Sequence, residues 1–161
     1  MIELFARKMD AIKYPEGAVL TPLPIDEDIS SLSAILLDDD YYTFLRQGKR
    51  VIDGVSVLEA VYLIPFKAKA WMDLSNRKAI GEHVDSKNIK KHKNDVFRLT
   101  ELIDSDVAIP APAGALTDMR EFYTRMNKEE IDVAQLGIVG KTKDQILAER
   151  VRYFKGSCEW F

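Results

Sequence analysis

The sequence is poor in the residues that build several common kinds of site. It has one cysteine, Cys158, and two histidines. A single thiol cannot close an internal disulfide, so the chain is not a disulfide scaffold and a reducing, cytoplasmic setting is expected. Two histidines and one cysteine without ligand spacing argue against a protein zinc site. Cys158 has no base near it in sequence, which disfavours thiol catalysis. No P-loop, GxGxxG or HExxH motif occurs. No apolar run approaches the ~20 residues that span a bilayer, so no membrane partner is expected. Met1 to Lys8 is too short and too quickly charged to read as a secretory signal. Internal repeats, low-complexity tracts and long linkers are also lacking.

What is present fits a soluble globular chain. Its 161 residues suggest one domain, with 47% hydrophobic and 30% charged residues. The pattern is β-rich first and helical later. Met1 to Ala6 reads as a strand, Ala18 to Leu23 as an edge strand bounded by prolines, and Ile29 to Leu37 as a further strand. Asp38, Asp39 and Asp40 offer N-capping carboxylates for a short helix through Leu45, closed by Gly48. Val51 to Val57, with Asp53-Gly54 at its centre, reads as a hairpin or bulged strand. Residues 59–80 read as a helix in which Pro65 starts the main body or kinks it, and Gly81 ends it. Its expected buried stripe is Leu63, Phe66, Ala70 and Leu74.

A second long helix is expected from Ser86, as N-cap, to Ile103, with Ile89, Val96, Leu99 and Ile103 on its core face. Residues 104–114 read as a loop. Leu116, Met119, Phe122, Tyr123 and Met126 repeat at helical spacing. Thr142 and Gln145 match a capping box for a last helix whose stripe is Ile146, Leu147, Val151 and Phe154. The expected fold class is α+β, with a small incomplete sheet within residues 1–57 and a helical part over residues 58–161.

Several charges interrupt the apolar pattern. Glu3 sits inside MIELF, where it faces water on an edge strand or serves as a carboxylate ligand for Mg²⁺. Lys67 borders the expected stripe of its helix. Its methylenes line the core edge with the ammonium in water, or the ammonium reaches into a cleft to hold phosphate. Lys69 is expected to point elsewhere, near Asp73. Asp95 adjoins the core face of the next helix and is four residues after Lys91, which allows an i,i+4 pair. Residues 67–98 carry nine cations, Lys93 among them, against four carboxylates. That local +5 in a chain of net −3 leaves −8 for the remainder. A basic two-helix segment of this kind is either a solvated face or a surface for nucleotide or RNA phosphates.

The string LIPFKAKAWMDLSNRKAIGEHVDSKNIKKHKNDVFRL, with MIELFAR, TPLPIDEDISSLSAILLDDDYY and VIDGVSVL before it, resembles the C-terminal part of AbiEii-type nucleotidyltransferases. These belong to the polymerase-β-like superfamily and include type IV toxin–antitoxin toxins. The resemblance runs to about Leu102 and more weakly beyond. It implies Mg²⁺-dependent transfer of NMP from NTP, with two ions held by three carboxylates. Glu3 would match the third carboxylate. Lys67 and Lys93 would contact NTP phosphates, and Asp95 would match a later motif aspartate at the active site.

The Gly-Ser and paired-aspartate motif that should precede the IELF strand is missing from this sequence. The chain by itself is therefore expected to bind phosphate without transferring nucleotides, since one carboxylate cannot clamp two metal ions. NTP, an RNA acceptor, an antitoxin or a second copy are the partners implied. A second copy is expected to pair with Met1 to Ala6, read as a strand lacking a neighbour.

Overall fold

Three consecutive aspartates open the first helix, and each has its own position there. The computed structural model describes residues 4–7, 34–104, 106–150 and 153–155. Helix α1 spans Asp39–Gly48, with the Asp38 carboxylate accepting from the Tyr41 amide at 2.8 Å. Asp39 and Asp40 occupy the first turn, where the helix dipole favours negative charge. Before α1, strand β1 (Leu4–Arg7) pairs in parallel with β2 (Ala34–Leu37). The strand read at Met1 to Ala6 therefore has a neighbour, β2, along one edge, where the sequence reading expects none. Arg7 leaves β1 to grip Asp39 with two of its guanidinium nitrogens, Nε–Oδ1 at 2.5 Å and Nη2–Oδ2 at 2.7 Å. Glu3, the Ala18 to Leu23 strand and Val151 lie outside the described residues.

Helix α1 runs directly into a hairpin of β3 (Lys49–Ile52) and β4 (Val55–Leu58). Asp53 and Gly54 both take positive φ, 49° and 78°, as a tight two-residue hairpin turn requires. Gly48 is needed at the junction for a reason other than helix capping. It is the last residue of α1 and does not adopt the left-handed conformation. A Cβ there would lie 2.2 Å from Cγ of Tyr62.

Helix α2 spans Ala60–Ala79 without interruption, with Pro65 buried inside it. Its buried residues include Val61, Ile64, Ala68, Trp71 and Met72. The burial is thus rotated from the stripe read in sequence; Leu63, Phe66, Ala70 and Leu74 are only half-buried. A Schellman turn ends the helix. The Glu82 amide donates to Arg77 O and the Gly81 amide to Lys78 O, with Gly81 at φ 90°.

Helix α3, Ser86–Thr100, then packs against α2. Its N-cap is Asp85 rather than Ser86, because the Asp85 carboxylate accepts from the Lys87 amide at 2.8 Å. The Ser86 hydroxyl is taken by the Lys78 ammonium at 2.5 Å. Val96 and Phe97 are buried, and Ile89, Leu99 and Ile103 pack beside them. The helix stops at Thr100, before Ile103.

Residues 104–114 are not all loop. Ile109–Pro110 forms β5, in parallel with β6 at Phe154–Lys155, and α4 (Ala113–Met126) starts within the same stretch. All five residues read at helical spacing on α4 are buried. Helix α5 spans Lys143–Arg150 and opens with a reciprocal capping box. The Thr142 amide donates to Gln145 Oε1 at 2.8 Å, and the Gln145 amide donates to Thr142 Oγ1 at 3.2 Å. Ile146 and Leu147 are buried as expected, but Phe154 belongs to β6 and not to this helix. The fold is α+β, with the main core where α2, α3, α4 and α5 meet. Among the described residues, no helix is long and apolar enough to cross a membrane.

Tyr41, Lys69 and Asp118 join α1, α2 and α4. The Tyr41 hydroxyl donates to Asp118 Oδ2 at 2.7 Å. The Lys69 ammonium pairs with the same oxygen at 2.7 Å and lies 4.4 Å from the Tyr41 ring centroid. Burial, then the bond to Asp118, pushes the Tyr41 phenol well above its ordinary range. Lys69 therefore does not pair with Asp73, which Arg77 approaches instead at 3.7 Å.

Two outcomes follow. Gly48→Ala lowers stability by about 1–3 kcal/mol, seen as a fall in the urea midpoint at constant slope, because the Tyr62 ring has no room for the methyl. The Asp39 carboxyl sits below its ordinary pKa, chiefly through its hydrogen bond to Arg7. A depressed carboxylate contributes stability above its unfolded pKa and loses it as pH falls through the folded pKa. NMR titration should show Asp39 returning to the ordinary carboxylate range in Arg7→Gln, while staying depressed in the parent protein.

Candidate functional site

A cleft lies where α2, α3 and the segment after α4 face one another, with a volume of about 560 Å³. Trp71 and Lys78 come from α2. Ser86, Lys90, Lys93, Asn94 and Arg98 come from one side of α3. Their spacing of three and four residues aligns them on one helical face. The opposite wall holds Glu129, Glu130 and Asp132. A volume of this size falls within the range of small-ligand clefts, ~300–1,000 Å³.

Local hydrogen bonds hold the acidic wall in place. The Lys143 ammonium donates to the carbonyls of Met126, Asn127 and Glu129 at 3.0–3.3 Å, which satisfies carbonyls at and just beyond the α4 terminus. Asp132 Oδ1 accepts from the Ala134 and Gln135 amides and so starts a 3₁₀ turn at Ala134–Leu136. Gly137, at φ 83°, closes it, and Ile138 returns the chain to the core.

The cations divide by burial. Lys93 is 17% exposed and pairs with Glu129 Oε2 at 2.5 Å across the cleft. Arg77 is exposed and is held by Glu82 at 2.7 Å, which keeps its guanidinium protonated even further up the scale than usual. Lys87, Lys90, Lys91 and Arg98 are exposed, and among the described residues their side chains have no ion pair. From Lys87 to Arg98 this unpaired row runs over eleven residue steps of α3, about 16 Å along the helix.

The residues singled out in sequence stand differently towards this cleft, and Glu3 lies outside the described residues. Lys93 lines the cleft, and its ammonium is occupied by Glu129. Lys67 and Asp95 are half-buried on α2 and α3 and do not line it. The i,i+4 pair between Lys91 and Asp95 does not form. Among the described residues, no group of three or more His, Cys, Asp or Glu side chains is arranged to hold a metal. Asp95 is the one carboxylate of the implied set within the described residues, and one carboxylate does not make a two-metal site. The acidic wall escaped the sequence reading, whereas Lys78 is among the nine cations of the basic segment. Glu129 lies 36 residues from Lys93, and no local spacing announces such a contact. The Asp132 and Gly137 ends of the 3₁₀ turn were the available signal for an ordered wall.

A double-mutant cycle on Lys93→Ala and Glu129→Ala should give a coupling of about 0.5–1 kcal/mol, read from denaturant unfolding. Glu129 is 41% exposed, so solvent screening keeps the figure near that of surface pairs. The wider Arg77–Asp73 pair, exposed on both sides, should give a coupling near zero.

No protein-family model, curated protein or solved structure matches the chain.

Proposed function

We propose that this chain is a phosphate-binding helical module of the nucleotidyltransferase type it resembles, and that it holds RNA phosphates along α3. The observation that carries the reading is the row Lys87, Lys90, Lys91 and Arg98, whose charges have no carboxylate partner among the described residues. Four exposed like charges on one helix repel one another, and a polyanion relieves that repulsion while releasing its own counterions. Asn94 lies between them on the same side and adds an amide donor for phosphate or sugar oxygens.

The row's length favours a polymer over a single nucleotide. About 16 Å of helix is longer than one triphosphate. NTP remains the ligand implied by the resemblance, with Lys67 and Asp95 as its contacts and Glu3 as a Mg²⁺ ligand. Catalysis is not part of this reading.

Fluorescence anisotropy with a short single-stranded RNA across a salt series tests it. Up to four neutralised phosphates give a slope of log affinity against log salt of about −2 to −3. Lys90→Gln combined with Arg98→Gln should reduce the magnitude of that slope by about 1.4 and leave the melting curve unchanged. No RNA binding at low salt, or an unchanged slope in the double variant, overturns the reading. Tight NTP binding that is lost in Lys67→Ala and Asp95→Ala, without RNA binding, would replace it with the nucleotide reading.

A further inference from the structure

Packing accounts poorly for the β3–β4 hairpin. Val51, Ile52 and Val55 are 65%, 59% and 62% exposed, and Val57 is also exposed. Among the described residues, no third strand pairs with either edge. An isolated two-stranded hairpin is marginal in water. Natural edge strands are protected by charge, proline or bulges, because an open edge is a template for another strand.

The two edges differ. The register opposes Ile52 to Val55, Val51 to Ser56, Arg50 to Val57 and Lys49 to Leu58. With a two-residue turn, Ile52–Val55 and Arg50–Val57 are the hydrogen-bonded pairs. The N–H and C=O groups of Val51 and Lys49 then point outward from β3. Arg50 is held by Glu59 at 2.7 Å. Lys49 and Asp53 have no ion pair among the described residues.

Strand β3 is complementary to itself. Laid antiparallel on a second copy and centred on Val51, it sets Val51 against Val51, Arg50 against Ile52, and Lys49 against Asp53. Unlike charges thus meet at both ends, and the outward backbone groups of Val51 meet their equivalents. The same operation on β4, centred on Ser56, sets Asp53 against Glu59, where like charges repel. We propose that β3 is a homodimer edge. Two copies join there into a four-stranded antiparallel sheet, with Lys49 of each facing Asp53 of the partner subunit. The proposal does not rest on phosphate binding.

Analytical ultracentrifugation of the full chain without nucleic acid tests it. The parent protein should show a monomer–dimer equilibrium at micromolar concentration. Lys49→Asp alone and Asp53→Lys alone should each weaken dimerisation by about tenfold or more, since each sets like charges face to face twice. An equimolar mixture of the two variants should restore the dimer, because unlike charges again oppose one another. Circular dichroism melts show whether each variant is folded, and Lys49→Gln supplies a milder change that should weaken the dimer less. A chain that stays monomeric at every concentration overturns the proposal. So does a dimer indifferent to Lys49→Asp, or a mixture of folded variants that stays monomeric.

Discussion

The structure depends on the burial of α2 over a wide arc. Helices α1, α3 and α4 all lie against it. Val61, Ile64, Ala68, Trp71 and Met72 are buried along its length, with Trp71 edge-on to Phe122 at 5.4 Å. A helix covered this broadly leaves little room for its lysines. Lys69 emerges at a rim where Asp118 takes its charge and the Tyr41 ring lies beneath it. The ion pair contributes little by itself, since Lys69 is half-exposed. The Tyr41 hydroxyl raises the importance of Asp118. Its residue is almost wholly buried, and a buried donor without its acceptor costs more than the bond contributes when made. One carboxylate therefore ties three helices together.

The same burial decides which cations remain available. The Schellman turn at Gly81 folds α3 back along α2, so one side of α3 is fixed against the core by Val96 and Phe97. Lys93 lies near the boundary of that side. An ammonium with little water around it needs a partner, and Glu129 supplies one. Lys87, Lys90, Lys91 and Arg98 are further round the helix, where water solvates them and the fold demands no carboxylate. A basic segment read from composition alone treats these residues alike; the packing divides them into fixed and free.

Legibility followed the range of the interaction. The capping box at Thr142 and Gln145, the Asp53-Gly54 turn, the Asp38 cap and the α4 stripe are all set by residues within one or two turns of each other, and all were readable. The α2 stripe was misplaced because a helix packed on several sides has no single apolar line to find. Asp85 and Ser86 are both good N-caps, and only the competing bond from Lys78 to Ser86 separates them. Phe154 continued the α5 periodicity by coincidence, and its pairing with Ile109 is non-local. In the site, Lys93 and the basic run were readable as charge. The acidic wall was not, because its relation to α3 exists only after folding.

That wall also constrains how a polyanion could lie on this surface. Glu129, Glu130 and Asp132 face α3 across the cleft, and Glu129 already occupies Lys93. Phosphates driven deep between the walls would meet these carboxylates at distances within a Debye length, ~8 Å at physiological salt, where repulsion is little screened. Lys87 and Lys91 do not line the cleft, whereas Lys90 and Arg98 do. The unpaired row therefore leads out of the cleft onto the open face of α3. A strand following it would keep its phosphates along the outer rim and its bases free of the acidic wall. The low net charge of the chain, −3, then limits attraction to this one row, so affinity should depend on a few local contacts and not on a field extending over the molecule.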